Sequence, residues 1–299
     1  MDEATRRRMI MRVALSPFPI HRPTGLDDFL DRVDRLADEA KSGGADLLIL
    51  PEYASMALAG AFVAAPDVAA ELDAVVSRAD TLVEGFRAIA RTHRLLLLPG
   101  SVPMRGADGN IRNRAPLIDG DGRIAFQDKR VMTRFESERW GITPGGPPSV
   151  FETDFGRLGI AICYDSEFPL LVRAQALAGA DTILIPACTD SLHGFNRVRL
   201  SARARALENQ CFTAVAPTTG MAPWSAAVDE NRGYACVFGP VDRGFPEDGL
   251  LARGALDAAD LLFATLDPAR LAATRDDPAV RNRTDWPDDP APARIVRLT

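Results

Sequence analysis

Two hydrophobic rhythms alternate along the chain. "MRVALS" (residues 11–16) is a short apolar run and predicts a first strand. Leu26, Phe29, Leu30, Val33 and Leu36 then recur at helical spacing, and Gly43-Gly44 stop the pattern. "DLLILPE" is mostly apolar and ends at Pro51, which suits a strand covered on both faces. The unit repeats, with residues 71–94 helical and 95–101 a strand. Residues 113–129 read as a hairpin turning at Gly120-Asp121-Gly122, and 149–163 as a second around Asp154-Phe155-Gly156. Residues 169–180 predict a helix, 181–187 a strand, 196–210 a helix and 211–219 a strand. Strand-like runs at 234–240, 249–256 and 261–267 close the series.

This alternation predicts an α/β layered architecture with mixed sheets. The many short strands and few helices point to two sheets. No composition break marks a linker, so one domain is expected over 1–299, with an N-terminal extension (1–10) and an irregular C-terminal tail (278–299) rich in Pro, Asp and Arg. There is no self-similarity at solenoid periods.

Composition narrows the setting. With 46% hydrophobic and 25% charged residues, the chain is an ordinary globular sequence, long enough for a sizeable core. A formal net charge of -6 argues against nucleic-acid or anionic-membrane partners. Cys163, Cys188, Cys211 and Cys236 form no C-x-x-C pair or disulfide framework. His21, His93 and His193 lie near no cysteine pair, so no zinc site is expected. The N-terminal apolar run is broken by Arg12, and neither a signal peptide nor a membrane span is expected. The cytoplasm is the simplest location.

Three strand ends carry candidate chemistry. "LLILPE" ends at Glu52, "IAFQDK" at Lys129 and "LGIAIC" at Cys163. Active sites of layered α/β folds collect at strand ends. A carboxylate could serve as base to the thiol, and an ammonium could hold a developing oxyanion. Singly, each has a plain alternative: core filler for the cysteine, a loop residue for the glutamate, a solvated side chain for the lysine.

Together they resemble the nitrilase, or carbon-nitrogen hydrolase, superfamily. The carrying stretches are "LLILPEYA", "FQDKRVMTRFESERWGITPG" and "LGIAICYDSEFP", with "RARALENQCFTAVAPTTG" similar to the segment after the cysteine and "LFATLDPARLAATRDDP" to the closing strand and tail. The resemblance implies a four-layer α-β-β-α sandwich, usually as a homodimer or higher homo-oligomer. It implies a catalytic Glu52, Lys129 and Cys163, with the backbone N–H of Tyr164 in the oxyanion site. A second glutamate before Pro144-Gly145 maps onto Glu138, with Glu136 as the alternative. The implied reaction is hydrolysis of a small amide through a cysteine thioester, with no metal and no organic cofactor. The alternatives are an N-carbamoyl amine, a nitrile, or transfer of the acyl group to an amine. Tyr164-Asp165 after the cysteine resembles the amidase branch, where nitrilases usually carry Trp-Glu.

Further expectations attach to neighbours of the motifs. Ser166 is expected to cap the helix after the cysteine, whose dipole would favour a thiolate. Glu167 stands where N-carbamoyl amino acid hydrolases carry a basic residue for the substrate carboxylate. It either disfavours such substrates or merely complements the helix dipole. His193, in a loop, and Tyr53 and Trp140 are candidates for lining the substrate pocket. Cys188, Cys211 and Cys236 read as packing, and no resolving cysteine lies near Cys163 in sequence. The arginines 199, 203 and 205 read with Glu208 as a solvated or salt-bridged face.

Overall fold

The computed structural model describes residues 9–287, 293 and 295–297; most of the expected N-terminal extension, and the end of the tail, lie outside them. In chain order the elements are β1 (Met11–Leu15), β2 (Phe18–Pro19), α1 (Leu26–Ser42), β3 (Leu47–Ile49), α2 (Ala59–Phe62), α3 (Val68–Val76), α4 (Ala79–His93), β4 (Leu96–Leu98), β5 (Val102–Arg105), β6 (Ile111–Ile118) and β7 (Ile124–Asp128). The second half holds β8 (Val150–Thr153), β9 (Gly156–Ile160), α5 (Pro169–Leu177), β10 (Thr182–Ala187), α6 (Leu192–Asn209), β11 (Phe212–Met221), β12 (Glu230–Asn231), β13 (Cys236–Phe238), β14 (Leu250–Arg253), β15 (Leu262–Leu266) and α7 (Pro268–Asp276).

The strands form two mixed sheets. One has seven strands, in the order β15-β1-β3-β4-β6-β5 with β7 on β6. The other has eight, in the order β14-β13-β11-β10-β9-β8 with β12 and β2 on β11. The β1-β3-β4 and β9-β10-β11 trios are parallel and the outer pairs antiparallel.

The period-2 pattern of β3 shows how the layers form. Leu47 and Ile49 join Leu158, Ile160 and Ile183 between the sheets. Leu48 and Leu50 face the other way, onto Phe29 and Val33 of α1 and Phe86 of α4. Val172 of α5 and Phe195, Val198 and Ala202 of α6 pack on the outer face of the second sheet, in the same contiguous apolar cluster. The result is the expected four-layer sandwich.

Several elements differ from the sequence reading. Residues 71–94 form two helices, broken at Ser77-Arg78, where the side chains of both residues donate to the Ala74 carbonyl. The α3 segment lies against β5 while α4 crosses α1, and one straight helix could not serve both surfaces. The α6 helix starts at Leu192 because Ser191 caps it, its hydroxyl accepting from Gly194 N–H at 3.2 Å. The last strand is followed by α7, capped by Asp267 with Pro268 in its first turn. The tail from 278 to 287 straps the ends of two helices: Arg283 donates to the carbonyls of Ala176 and Asn209, and Arg173 donates to Arg283 O.

No helix among the described residues is long and apolar enough to cross a membrane.

Candidate active site

Glu52, Lys129 and Cys163 meet at one buried point. The carboxyl ends of the parallel strands β3 and β9 deliver Glu52 and Cys163, and β7 delivers Lys129 from the hairpin. Lys129 Nζ donates to Glu52 Oε1 at 2.7 Å, and the Cys163 thiol lies near enough to the Glu52 carboxylate to feel its charge. Glu52 and Lys129 are 1% exposed and Cys163 5%, so the polar groups can satisfy only one another.

Local backbone chemistry places each group. Gly100, at φ +83, lies so close to Pro51 that a Cβ would overlap the Pro51 carbonyl oxygen, and this presses the end of β4 against the turn holding Glu52. Thr218 Oγ1 donates to Glu52 O at 2.8 Å. Cys163 itself sits at φ 46, a left-handed conformation uncommon for a residue with a Cβ. Strain of this kind clusters at functional sites. The turn is held by Asp165, whose carboxylate accepts from the N–H groups of Arg130 and Val131, tying the cysteine turn to the lysine segment.

Ser166 does not cap the following helix. Its hydroxyl donates back to Cys163 O at 2.6 Å, and α5 begins only at Pro169 with no side-chain cap. The expected thiolate is also not favoured at rest. Burial, and next the Glu52 charge, push the Cys163 thiol well above its usual range, against the opposing effect of Lys129. These effects favour the neutral thiol at Cys163.

Glu136, rather than Glu138, is the second glutamate at the lysine. Lys129 Nζ donates to Glu136 Oε1 at 2.8 Å and Oε2 at 2.7 Å. Glu138 is exposed and pairs with Arg134 at 2.9 Å. Both lie on one wide helical turn, Glu136–Trp140, and residues two apart on a helix point to opposite sides. The register is set by a capping box, Thr133-Arg134-Phe135-Glu136: Glu136 Oε2 accepts from both the N–H and the hydroxyl of Thr133. That T-x-x-E signature was available in the sequence. Glu136→Gln is expected to lower turnover about 100-fold by loosening Lys129, and Glu138→Gln by less than about 2-fold, in steady-state assays of the two variants.

The remaining predicted residues divide. Tyr53 is buried and donates its hydroxyl to Glu136 Oε1 at 2.6 Å, and Trp140 packs edge-on against its ring at 4.8 Å. These two hold Glu136 in place. Tyr164 is half-buried directly after Cys163. Glu167 pairs with Arg197 at 3.5 Å. His193 is exposed on the first turn of α6, not in a loop. Arg205 is buried; it pairs with Glu208 and donates to Ser166 O, so it supports the cysteine turn.

Two members of the site were missed. Asn113 Nδ2 donates to Glu52 Oε1 at 2.9 Å and to Glu136 Oε1 at 3.3 Å. The backbone of Cys188 spans the other pair, its N–H donating to Glu52 Oε2 at 3.1 Å and its carbonyl accepting from Cys163 Sγ at 3.7 Å. Nothing local in the sequence marks a backbone contact of this kind.

The charges are interlocked. Burial pushes the Glu52 carboxyl up to about 7 against the pull of Lys129. Burial alone would lower the Lys129 ammonium, but Glu52 and Glu136 outweigh it and hold it well above its usual value. Burial would raise Glu136, yet Lys129 keeps it below the usual carboxylate range. The cluster thus combines a carboxyl poised to exchange protons near neutrality, a fixed cation and a thiol. Among the described residues, no group of three or more His, Cys, Asp or Glu is arranged to hold a metal ion.

Comparisons with known proteins identify the family. The carbon-nitrogen hydrolase family model matches residues 12–276. The chain is 29% identical over 275 residues to the probable hydrolase YhcX of Bacillus subtilis, covering 92% of this chain but only 53% of YhcX. It is 33% identical over 267 residues to a hydrolase in the pqqF 5' region of Pseudomonas protegens, covering 89% and 86% of the two chains. Among solved structures it superposes with a TM-score of 0.68 and 27% identity on a variant of the amidase from Nesterenkonia sp. AN1, covering 89% of this chain and 97% of that one. That structure shows Michael addition of acrylamide at its active-site cysteine. The chain belongs to the carbon-nitrogen hydrolase family.

Proposed function

We propose that the protein hydrolyses a small amide through a thioester on Cys163. The observation that carries this is the burial of the Cys163 thiol beside a Glu52 carboxylate that is itself bonded to Lys129, with the Cys188 backbone bonded to both residues. Glu52 takes the thiol proton as sulfur attacks the amide carbon. Lys129 and the Tyr164 N–H stabilise the tetrahedral oxyanion. Glu52 passes its proton to the leaving nitrogen as the C–N bond breaks, leaving the thioester. Water, deprotonated by Glu52, attacks the thioester, and the acid leaves as the proton returns to sulfur. Glu136 positions Lys129. The acrylamide adduct of the Nesterenkonia amidase supports a cysteine open to small amides, at 27% identity.

Tyr164-Asp165 supports amide over nitrile. Asp165 is committed to the Arg130 and Val131 N–H groups, a role that fixes the turn. Glu167 pairs with Arg197 at 3.5 Å, so the position carries no net charge and selects neither an anionic nor a cationic substrate by itself. Leu170 and Leu177 of α5 and Leu200 and Leu207 of α6 are exposed, and this supports the proposed homodimer or higher homo-oligomer. Four free cysteines support the proposed cytoplasmic location.

The test is an ammonia-release screen over small amides, N-carbamoyl amines and nitriles, with acid quenching and peptide mass spectrometry. An acyl group on the Cys163 peptide during turnover of a simple amide is the expected result. Ammonia released at full rate with no acyl group on that peptide would overturn the thioester route.

A further inference from the structure

Asn113 lies on β6, 0% exposed, with its carbonyl accepting from Lys129 N–H at 2.9 Å. Its Nδ2 meets two carboxylate oxygens, Oε1 of Glu52 and Oε1 of Glu136. Both are acceptors, so the amide nitrogen must face them. That orientation leaves the Asn113 Oδ1 buried and without a partner among the described residues. A buried acceptor without a donor costs about 1–3 kcal/mol. The residue is held in an orientation that is unfavourable for half of its own side chain, and only the carboxylates benefit.

The consequence for Glu52 follows from counting its donors. Oε1 receives Lys129 Nζ at 2.7 Å and Asn113 Nδ2 at 2.9 Å. Among the described residues, Oε2 receives the Cys188 N–H, at 3.1 Å, and no second N–H donor. With one oxygen occupied by two donors, the other keeps the lone pair that can take a proton from sulfur.

We propose that Asn113 is a positioning residue: its amide clamps the Oε1 atoms of Glu52 and Glu136, fixes the carboxylate plane of Glu52, and leaves Oε2 as the acceptor of the Cys163 thiol proton. The inference rests on the hydrolase reading for its purpose but not for its geometry. The titratable groups around Glu52 are Tyr53 beside it in the chain, Lys129 and Glu136 from the lysine segment, Cys163 and Asp165 from the cysteine turn, and Cys188 from the end of β10. Asn113 adds an uncharged side-chain donor beside them. An amide that donates to a carboxylate favours its ionised form, so removing the donor must raise the pH at which Glu52 becomes a base.

The experiment uses full-length Asn113→Leu and Asn113→Asp. Leucine is similar in shape but donates nothing. Aspartate is nearly isosteric, so it keeps the packing if leucine does not fold, and it adds a third acid that raises Glu52 by like-charge repulsion. Alkylation of Cys163 by iodoacetamide, followed at the peptide level against pH, reads the base without any substrate. Both variants are expected to shift the midpoint upward by about one pH unit, a tenfold slower reaction on the acid side. Their kcat should fall, with KM little changed, on any amide that the wild type turns over. A variant that alkylates with the wild-type midpoint overturns the proposal, whether its melting temperature is unchanged or lowered. Failure of the hydrolase reading would show separately, as no acyl transfer to wild-type Cys163 from any amide. If the alkylation shift persists in that case, it still supports the clamp.

Discussion

Cys163→Ala is expected to abolish amide hydrolysis, with kcat/KM falling by at least about 10⁴-fold, because removing a nucleophile leaves only the residual catalysis of the oxyanion site and binding. The fold should survive. Alanine differs by one sulfur atom, and the left-handed backbone at φ 46 is as strained for one residue as for the other. The neighbouring Cys188 cannot take over. Burial, then the Glu52 charge, push its thiol far up, and its sulfur is committed to Asn231 Oδ1 at 3.2 Å. Cys188→Ser should therefore hydrolyse amides at a rate near wild type, since the contacts of residue 188 with Glu52 and Cys163 come from its backbone. The check is ammonia release by both variants, with circular dichroism to confirm the fold. Hydrolysis by Cys163→Ala within tenfold of wild type would remove the cysteine from the mechanism.

The framework of this site was legible because strand ends are written in the sequence. Apolar runs that stop at Glu52, Lys129 and Cys163 predict where a layered fold gathers polar groups, and three such stops in the family's order are hard to obtain by chance. The choice between Glu136 and Glu138 was harder, because spacing from Pro144-Gly145 does not say which face of a turn meets the lysine. Thr133 decides it, through a capping box that fixes the rotation of the turn. Ser166 misled for a related reason. A serine before a proline-led helix looks like an N-cap, but the left-handed Cys163 makes a tight turn first, and the hydroxyl is used inside it. Asn113 sits inside a hairpin strand whose pattern marks it only as one polar position among several. What sets it apart is the meeting of β6 with two distant carboxylates, which is a tertiary fact.

Lys129→Met is expected to cost both activity and stability. The ammonium lies between two buried carboxylates, at 2.7 Å from each. Removing it leaves like charges facing one another in a dry site, and breaking a buried pair of this kind costs about 3–5 kcal/mol. The variant's carboxyls would respond by holding protons. Glu52, already at about 7 through burial, loses its main stabilising charge and moves higher, and Glu136 loses the cation that holds it low. At neutral pH Glu52 is then protonated and cannot accept the thiol proton, and the oxyanion loses its cation. A fall in kcat of about 10³-fold is expected. The sign of the pH effect on stability follows from linkage. Carboxyls whose folded values lie above their unfolded ones contribute stability that is present at acid pH and lost as pH rises through the folded values. The gap in melting temperature between Lys129→Met and the wild type should therefore be smallest near pH 4 and widest above pH 8. A gap that is constant across that range would show that Lys129 acts there by packing alone.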